Sequence, residues 1–457
     1  MNIKQLQEER NQIFSDFWNN ITPKRLPVSV GMYHHIVIEY AKKDIMEVQY
    51  DYTQLANTSD RICQILYSDT CPISGGGTPN FAFYNAILNS QCFVMSAKGF
   101  VQHPEVVGML ENEYDEFLAD PYAFMIEKVV PRQYKSLSLQ EPVKRAHAMK
   151  IAMDAKDKDS MDFSSLSKPL IEKYGYYVGA PKGSVGTTRA PYDFLADLLR
   201  SFSGISTDLR RNRSKVVEAT EALYPFMFNM GLVANPQSEG QVRIPLHMPT
   251  FMREKDFVEV YMPSFLRLIQ EYASLGIRTS IFCEDDWTRY LDILQEFPAG
   301  TLLRFEYGDA KLFKEKLGKK FFIGGFFPTQ LITTGSKQQC IDKIKELLDI
   351  MMPGGGYVFD FDKRPLVAAD VNIDNLTAVT EYIRDHAFYD KPGQPFGQKL
   401  NSEGFTCDIE KSSHYDSKYK FSWEEFKANN PYAPDIAKGR LEDLDNKMMK
   451  WYLSLLS

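Results

Sequence analysis

The sequence predicts an α/β protein, a (β/α)8 TIM barrel with N-terminal helical additions and a C-terminal extension. Three observations carry that expectation. From Tyr176 onward, short apolar runs alternate with amphipathic stretches over roughly 200 residues. The apolar runs are nearly continuous, as in parallel strands buried beneath helices. And no Gly-rich phosphate turn follows the first strand, as a doubly wound nucleotide-binding sheet requires: GSVGTTRA and GGGTPN lack the spacing.

In chain order, residues 1–25 read as a helix packed outside the main fold. LPVSVGMYHHIVIEY, from Leu26 to Tyr40, is β-rich, with Pro23 just before it and Pro27 at its start. Asp44 to Ser68 has helical spacing and ends at the turn-rich SDTCPISGGGTPN. Residues from about Pro104 to Tyr174 are charged and helical, an insertion in the barrel. Then YYVGAPKGSVG reads as a strand, APYDFLADLLRSF and KVVEATEALYPFMFNMGLVA as helices, and VRIPLHMP as a strand. The rhythm continues through IRTSIFCEDD, TLLRFEYGD, KKFFIGGFFP and GGGYVFD, each followed by a helical pattern, the last being NIDNLTAVTEYIRDHA. The barrel thus spans 26–388. Residues 389–457 are polar and aromatic, end in a helix, and are expected to wrap the barrel or meet another subunit. The triplets Gly75–Gly77 and Gly354–Gly356 read as backbone devices that permit positive φ.

The 457 residues are 44% hydrophobic and 25% charged, an ordinary globular composition that excludes disorder and coiled coil. A net charge of -7 argues against nucleic acid as the main partner. The N-terminal stretch has no apolar core of signal-peptide length, and no window has the roughly 18 uninterrupted apolar residues of a spanning helix, so a cytoplasmic protein without membrane contact is expected. The six cysteines are scattered without a Cys-x-x-Cys pair, which supports neither a disulfide framework nor a closed structural zinc site. Thirty-one Phe and 25 Tyr suit a thick core and also a pocket for a flat organic ligand.

Reactive groups of such a barrel stand at the C-terminal ends of strands. That rule selects His247; Cys283 with Glu284, Asp285 and Asp286; Glu306 with Asp309; Asp360 and Asp362; and, near the first strands, Tyr33, His34, His35 and Asp69. His247 is either a satisfied loop histidine or an acid–base group or ligand. In a strand, His34 and His35 point to opposite faces. Asp285 and Asp286 suit the cap of the next helix. Glu306, after an apolar run, is the strongest proton donor on account of desolvation; Glu284 and His247 are the others. His247, Cys283 and Glu306 are also the mixed donor set that a catalytic zinc accepts. Tyr33, His34, Tyr177 and Phe282 are the expected substrate-binding residues.

The stretch FFIGGFFPTQLITTGSKQQCIDKIKELLDIMMPGGGYVFD, followed by NIDNLTAVTEYIRDH, resembles the uroporphyrinogen decarboxylase superfamily: a glycine-containing strand, a Pro, a Thr-Gly-Ser before a helix, then a Gly-Gly strand and the helix start Asp374-Asn375-Leu376. KRLPVSV resembles the family's entry to the first strand, and DFLADLLRSFSGISTDLRRNRSKVVEATEAL its helix–loop–helix before the middle strands. The resemblance covers about residues 25 to 388 and implies a (β/α)8 barrel. The decarboxylases hold a polycarboxylate with paired arginines after the first strand; VGMYHHIVIEYAKK carries none, and DFDKRPL stands in place of the late histidine motif. Unpaired carboxylates are expensive, which argues against that substrate. The other branch comprises corrinoid-dependent methyltransferases. Their zinc motif is kept only at Cys283, since Ile281 replaces the His and Phe322 to Gly325 contains no Cys. CEDDWTRYLDILQEFPAG is similar to the substrate methyltransferases of O-demethylase systems. What this resemblance implies is transfer of a methyl group from a methoxylated aromatic compound to the cobalt(I) corrinoid of a partner protein, by a homodimer. The alternatives are another lyase, such as a decarboxylase of the uroporphyrinogen type, or a non-catalytic barrel that binds a small molecule.

Overall fold

The computed structural model describes residues 2–48, 50–74, 83–96, 101–138 and 140–456, so Gly75–Gly77 lie outside the described residues. The apolar runs of the second half form a six-stranded parallel sheet whose strand order follows the chain. Its strands are β1 (Gly186–Thr187), β2 (Val242–Leu246), β3 (Thr279–Cys283), β4 (Leu302–Phe305), β5 (Phe322–Phe327) and β6 (Tyr357–Phe361). Intervening helices cover one face, where Phe305 meets Phe313 of the helix Ala310–Leu317 with ring centroids 4.6 Å apart.

A closed (β/α)8 barrel would need eight strands, and this sheet has six among the described residues; two further segments pair only through isolated hydrogen bonds. Leu26–Val30 and Ser68–Asp69 run side by side, and the amide of Asp69 donates to the carbonyl of Val28 at 2.8 Å. The return bond goes astray: the amide of Val28 donates to the carboxylate of Asp69, also at 2.8 Å, and Pro27 has no N–H to offer. Tyr177 continues the row, its amide donating to the Asp69 carbonyl at 2.8 Å. The YYVGAPKGSVG strand is correspondingly short, reduced to Gly186–Thr187.

The helix α1 (Ile3–Trp18) begins at a capping box, the Gln5 amide donating to Asn2 Oδ1 at 2.9 Å. Its buried residues Arg10, Ile13, Phe14, Phe17 and Trp18 recur at the 3–4 spacing of one helical face. That face does not lie outside the fold as the sequence suggested. Phe14, Phe17 and Trp18 pack on Leu302, Phe322 and Phe396, closing the N-terminal end of the sheet on the side away from the helices. Arg278 donates to the carbonyl of Trp18 at 2.8 Å and pins the plug.

The β-rich reading of Leu26–Tyr40 holds only for its first half, because residues His34–Tyr40 form the helix α2. Burial decides this: Ile36, Val37 and Ile38 are all enclosed, and β-branched propensity yields to packing. The charged insertion is helical and contains the 33-residue helix α3 (Pro142–Tyr174). Between the sheet and the chain's end, the helix Lys337–Met351 leads to Gly354–Gly356, all at positive φ as expected. The terminal helix Ala437–Leu456 docks on the protein's own insertion: Trp451 Nε1 approaches the Met149 sulfur at 2.9 Å, and Tyr134 donates to the Leu455 carbonyl. No helix of the described residues is long and apolar enough to cross a membrane.

Candidate active site at the strand ends

Side chains alternate along a strand, so register assigns faces. Pro245, Phe282, Arg304, Gly324 and Val358 lie in one row across β2 to β6; Leu246, Cys283, Phe305, Gly325 and Phe359 lie in the next, on the opposite face. One residue further on, His247, Glu284 and Glu306 return to the face of Phe282 and Arg304, level with Asp360 at the end of β6. This inner face, opposite to the helix-covered one, therefore carries a layer of one imidazole and three carboxylates at the C-terminal end of the sheet.

Two groups of that layer touch. His247 Nδ1 is hydrogen-bonded to Glu284 Oε2, and both side chains are 39% exposed. Glu306 is 8% exposed, accepts from the Asp285 amide at 2.8 Å, and lies 3.9 Å from Lys363 Nζ. Asp285 holds φ 64, a conformation uncommon outside glycine, and this turn aims its N–H at Glu306. Asp286, as expected of a cap, accepts from the Thr288 amide at 2.8 Å.

Behind His247 stands a second carboxylate pair that sequence reasoning missed. Asp193 accepts from the amides of His247 and Met248, each at 3.2 Å, and from the Tyr261 hydroxyl at 2.9 Å. Asp197 follows one turn later in the π-helical stretch Phe194–Arg200. The signal was present as two Asp four residues apart in the otherwise apolar APYDFLADLL.

These contacts set the protonation states. Burial alone would lower the His247 pKa, but the Glu284 hydrogen bond and the charges of Asp193 and Asp197 outweigh it, so it rises. His247 in turn lowers the pKa of Glu284. Burial raises the carboxyl pKa of Glu306, with the Asp285 amide opposing. Burial likewise raises those of Asp193 and Asp197. Relative to their ordinary values the layer thus combines a histidine biased towards imidazolium, a Glu284 biased towards carboxylate and a Glu306 biased towards the protonated form.

The zinc donor set does not assemble. Cys283 points to the helix-covered face, is fully buried, and has its thiol pKa raised by burial, against the thiolate that zinc needs. His247 already spends a ring nitrogen on Glu284. Among the described residues no group of three His, Cys, Asp or Glu side chains is arranged to hold a metal.

Of the expected substrate-binding residues, Phe282 forms part of the inner face one row beneath Glu284. Tyr33 is the N-cap residue of α2 and lies near Arg243, whose pKa is lowered by burial and by Arg364 against a small opposing effect of Tyr33. His34 is 2% exposed within α2, its ring centroid 5.4 Å from that of Tyr52. Tyr177 sits at the opposite end of the sheet, stacked on Phe14 at 4.2 Å and donating to Glu239 at 2.6 Å. Asp69 also belongs to that end, clasped by Arg25 and Arg10.

No protein-family model and no curated protein matches the chain. Among solved structures it is similar to a methyltransferase from Methanosarcina mazei at 14% identity, covering 82% of this chain and 98% of that one, with a TM-score of 0.48.

Proposed function

We propose that the protein is a (β/α)8-barrel methyltransferase that moves a methyl group from a methoxylated, aromatic small molecule to the cobalt(I) corrinoid of a partner protein. In this reading Leu26–Val30 and Ser68–Asp69 complete the barrel. The observation that carries the reading is the layer of His247, Glu284 and Glu306 on one face at the strand ends, with Cys283 turned away: a proton-donating site. The sequence resemblance of residues 283–300 to the substrate methyltransferases of O-demethylase systems supplies the reaction class.

Demethylation of an aryl ether breaks the carbon–oxygen bond towards the oxygen, which keeps the electron pair, while the methyl carbon would be taken by the cobalt(I) nucleophile of the partner, which supplies the electron pair of the new bond. The phenolate left behind has a pKa of about 10, so a proton delivered to that oxygen lowers the barrier, by a factor of about 10²–10⁴ for a positioned acid. Glu306 is the first proton donor in this reading, because desolvation raises its carboxyl pKa above the ordinary value. Glu284 and Asp193 keep His247 charged and oriented as a second donor. Phe282 supplies an apolar wall beside them.

The test is incubation with free cobalamin reduced to cobalt(I) and a panel of methoxylated aromatics, following methylated cobalamin by absorbance. Protein-dependent product from at least one compound, lost in Glu306→Gln, is expected. A second reading, decarboxylation of an organic acid, is favoured by guanidinium groups deeper on the same face. Release of carbon dioxide without an acceptor would establish it in place of methyl transfer.

A further inference from the structure

Beneath the acid layer lies a cavity of about 310 Å³, of the size of a small-ligand site. Arg243 of β2, Arg304 of β4 and Arg364 of the loop after β6 line it, with Asp360 as their carboxylate and Val358 and Phe361 among the apolar walls. Arg304 reaches across β5 to pair with Asp360. It can cross because residue 324 is glycine: a Cβ there would stand 3.3 Å from Arg304 Cγ. The side chains of Arg243 and Arg364 make no hydrogen bond or ion pair with the described residues. Their proximity shows in the titration of Arg304, pushed down to about 9 by burial and by these two cations.

Gathering three guanidinium groups around one carboxylate leaves two positive charges facing the cavity, an arrangement that folding alone does not reward. Guanidinium forks match the oxygens of carboxylates and phosphates. We propose that this cavity is a binding site for a small dianion bearing carboxylate or phosphate oxygens, held by Arg243 and Arg364 with Arg304 beside them. The site stands apart from the methyl-transfer reading, since binding needs neither an acceptor nor turnover. Arginines after the first strand are absent, and the cationic role is taken instead by positions on β2, on β4 and after β6.

Isothermal titration of the full chain with succinate, its neutral counterpart succinamide and inorganic phosphate tests this. Succinate, phosphate or both should bind, and succinamide should bind at least about tenfold more weakly, a loss appropriate to charge-assisted hydrogen bonds. Succinate alone identifies a dicarboxylate site, and phosphate alone a phosphate site. Arg243→Met and Arg364→Met should each weaken the bound anion about tenfold or more while leaving the thermal midpoint in place. Binding of neither anion, equal binding of succinamide, or unchanged affinity in both folded variants would overturn the proposal. Failure of methyl transfer to cobalamin leaves all these outcomes readable.

Discussion

Two groups of arginines gather around a single carboxylate in this molecule, and they are built on opposite plans. At the α1 end, Asp69 accepts from Arg25 through both oxygens at 2.7 Å, from Arg10 at 3.3 Å, from the Tyr67 hydroxyl at 2.9 Å and from the Val28 amide at 2.8 Å. Cation, anion and backbone satisfy one another, and nothing is left over for a ligand. In the inner cavity one carboxylate, Asp360, faces three arginines, and only Arg304 pairs with it. The same residue types form a structural clasp where every guanidinium finds its acceptors, Arg10 and Arg25 also donating to backbone carbonyls, and a receptive surface where two guanidinium groups do not.

The comparison breaks most visibly at Asp69. Asp69→Ala leaves Arg25 and Arg10 buried without a counter-charge and should cost about 3–5 kcal/mol in urea unfolding, whereas Arg243→Met should change stability by less than about 1 kcal/mol. Sign and pH sharpen the contrast. Burial opposes ionisation of Asp69, but Arg25 and Arg10 hold its pKa below the usual carboxylate value. Its stabilisation is therefore complete above the unfolded-state pKa of about 3.9 and is lost as pH falls through the native value. The stability gap between wild type and Asp69→Asn should close in that acid range.

A smaller effect on stability is expected at the His247–Glu284 pair, which is partly exposed. His247→Asn should slow turnover by about 10²-fold, with little change in the unfolding midpoint. Smaller again, Gly324→Ala should cost about 1–3 kcal/mol by crowding Arg304, and should weaken anion binding as the Arg304–Asp360 pair shifts. The subtlest effect is a displaced pH profile. Activity that needs the His247 imidazolium is present below its raised pKa and lost as pH rises through it. Asp197→Asn removes one charge that raises this pKa, so the alkaline limb of the rate profile should move to lower pH.

Much of the fold was legible because strand and helix periods differ: β2 to β6 stand where the apolar runs placed them, and a helix follows each except β3, where the expected helix is two short 3-10 turns, Thr288–Tyr290 and Ile293–Glu296. Their C-terminal ends pointed to His247, Glu284 and Glu306. Cys283 was legible too, had the alternation of Phe282, Cys283 and Glu284 been carried through, since a strand cannot turn adjacent residues to one face. His34–Tyr40 misled because β-branched residues suit a buried helix as well as a strand. The direction in which α1 faces was hidden, since its apolar stripe announces burial but not the surface it covers. Arg243 and Arg304 lie inside strands, away from the ends where chemistry was sought, and only the register brings them together with Arg364.

The most direct test of the account is the single-turnover rate of methyl transfer to cobalt(I) cobalamin by wild type and Glu306→Gln, with thermal unfolding of both. A rate lower by about 10²-fold or more at an unchanged midpoint is the predicted result. Equal rates in two equally stable proteins would contradict the assignment of the strand-end layer as the site of proton delivery.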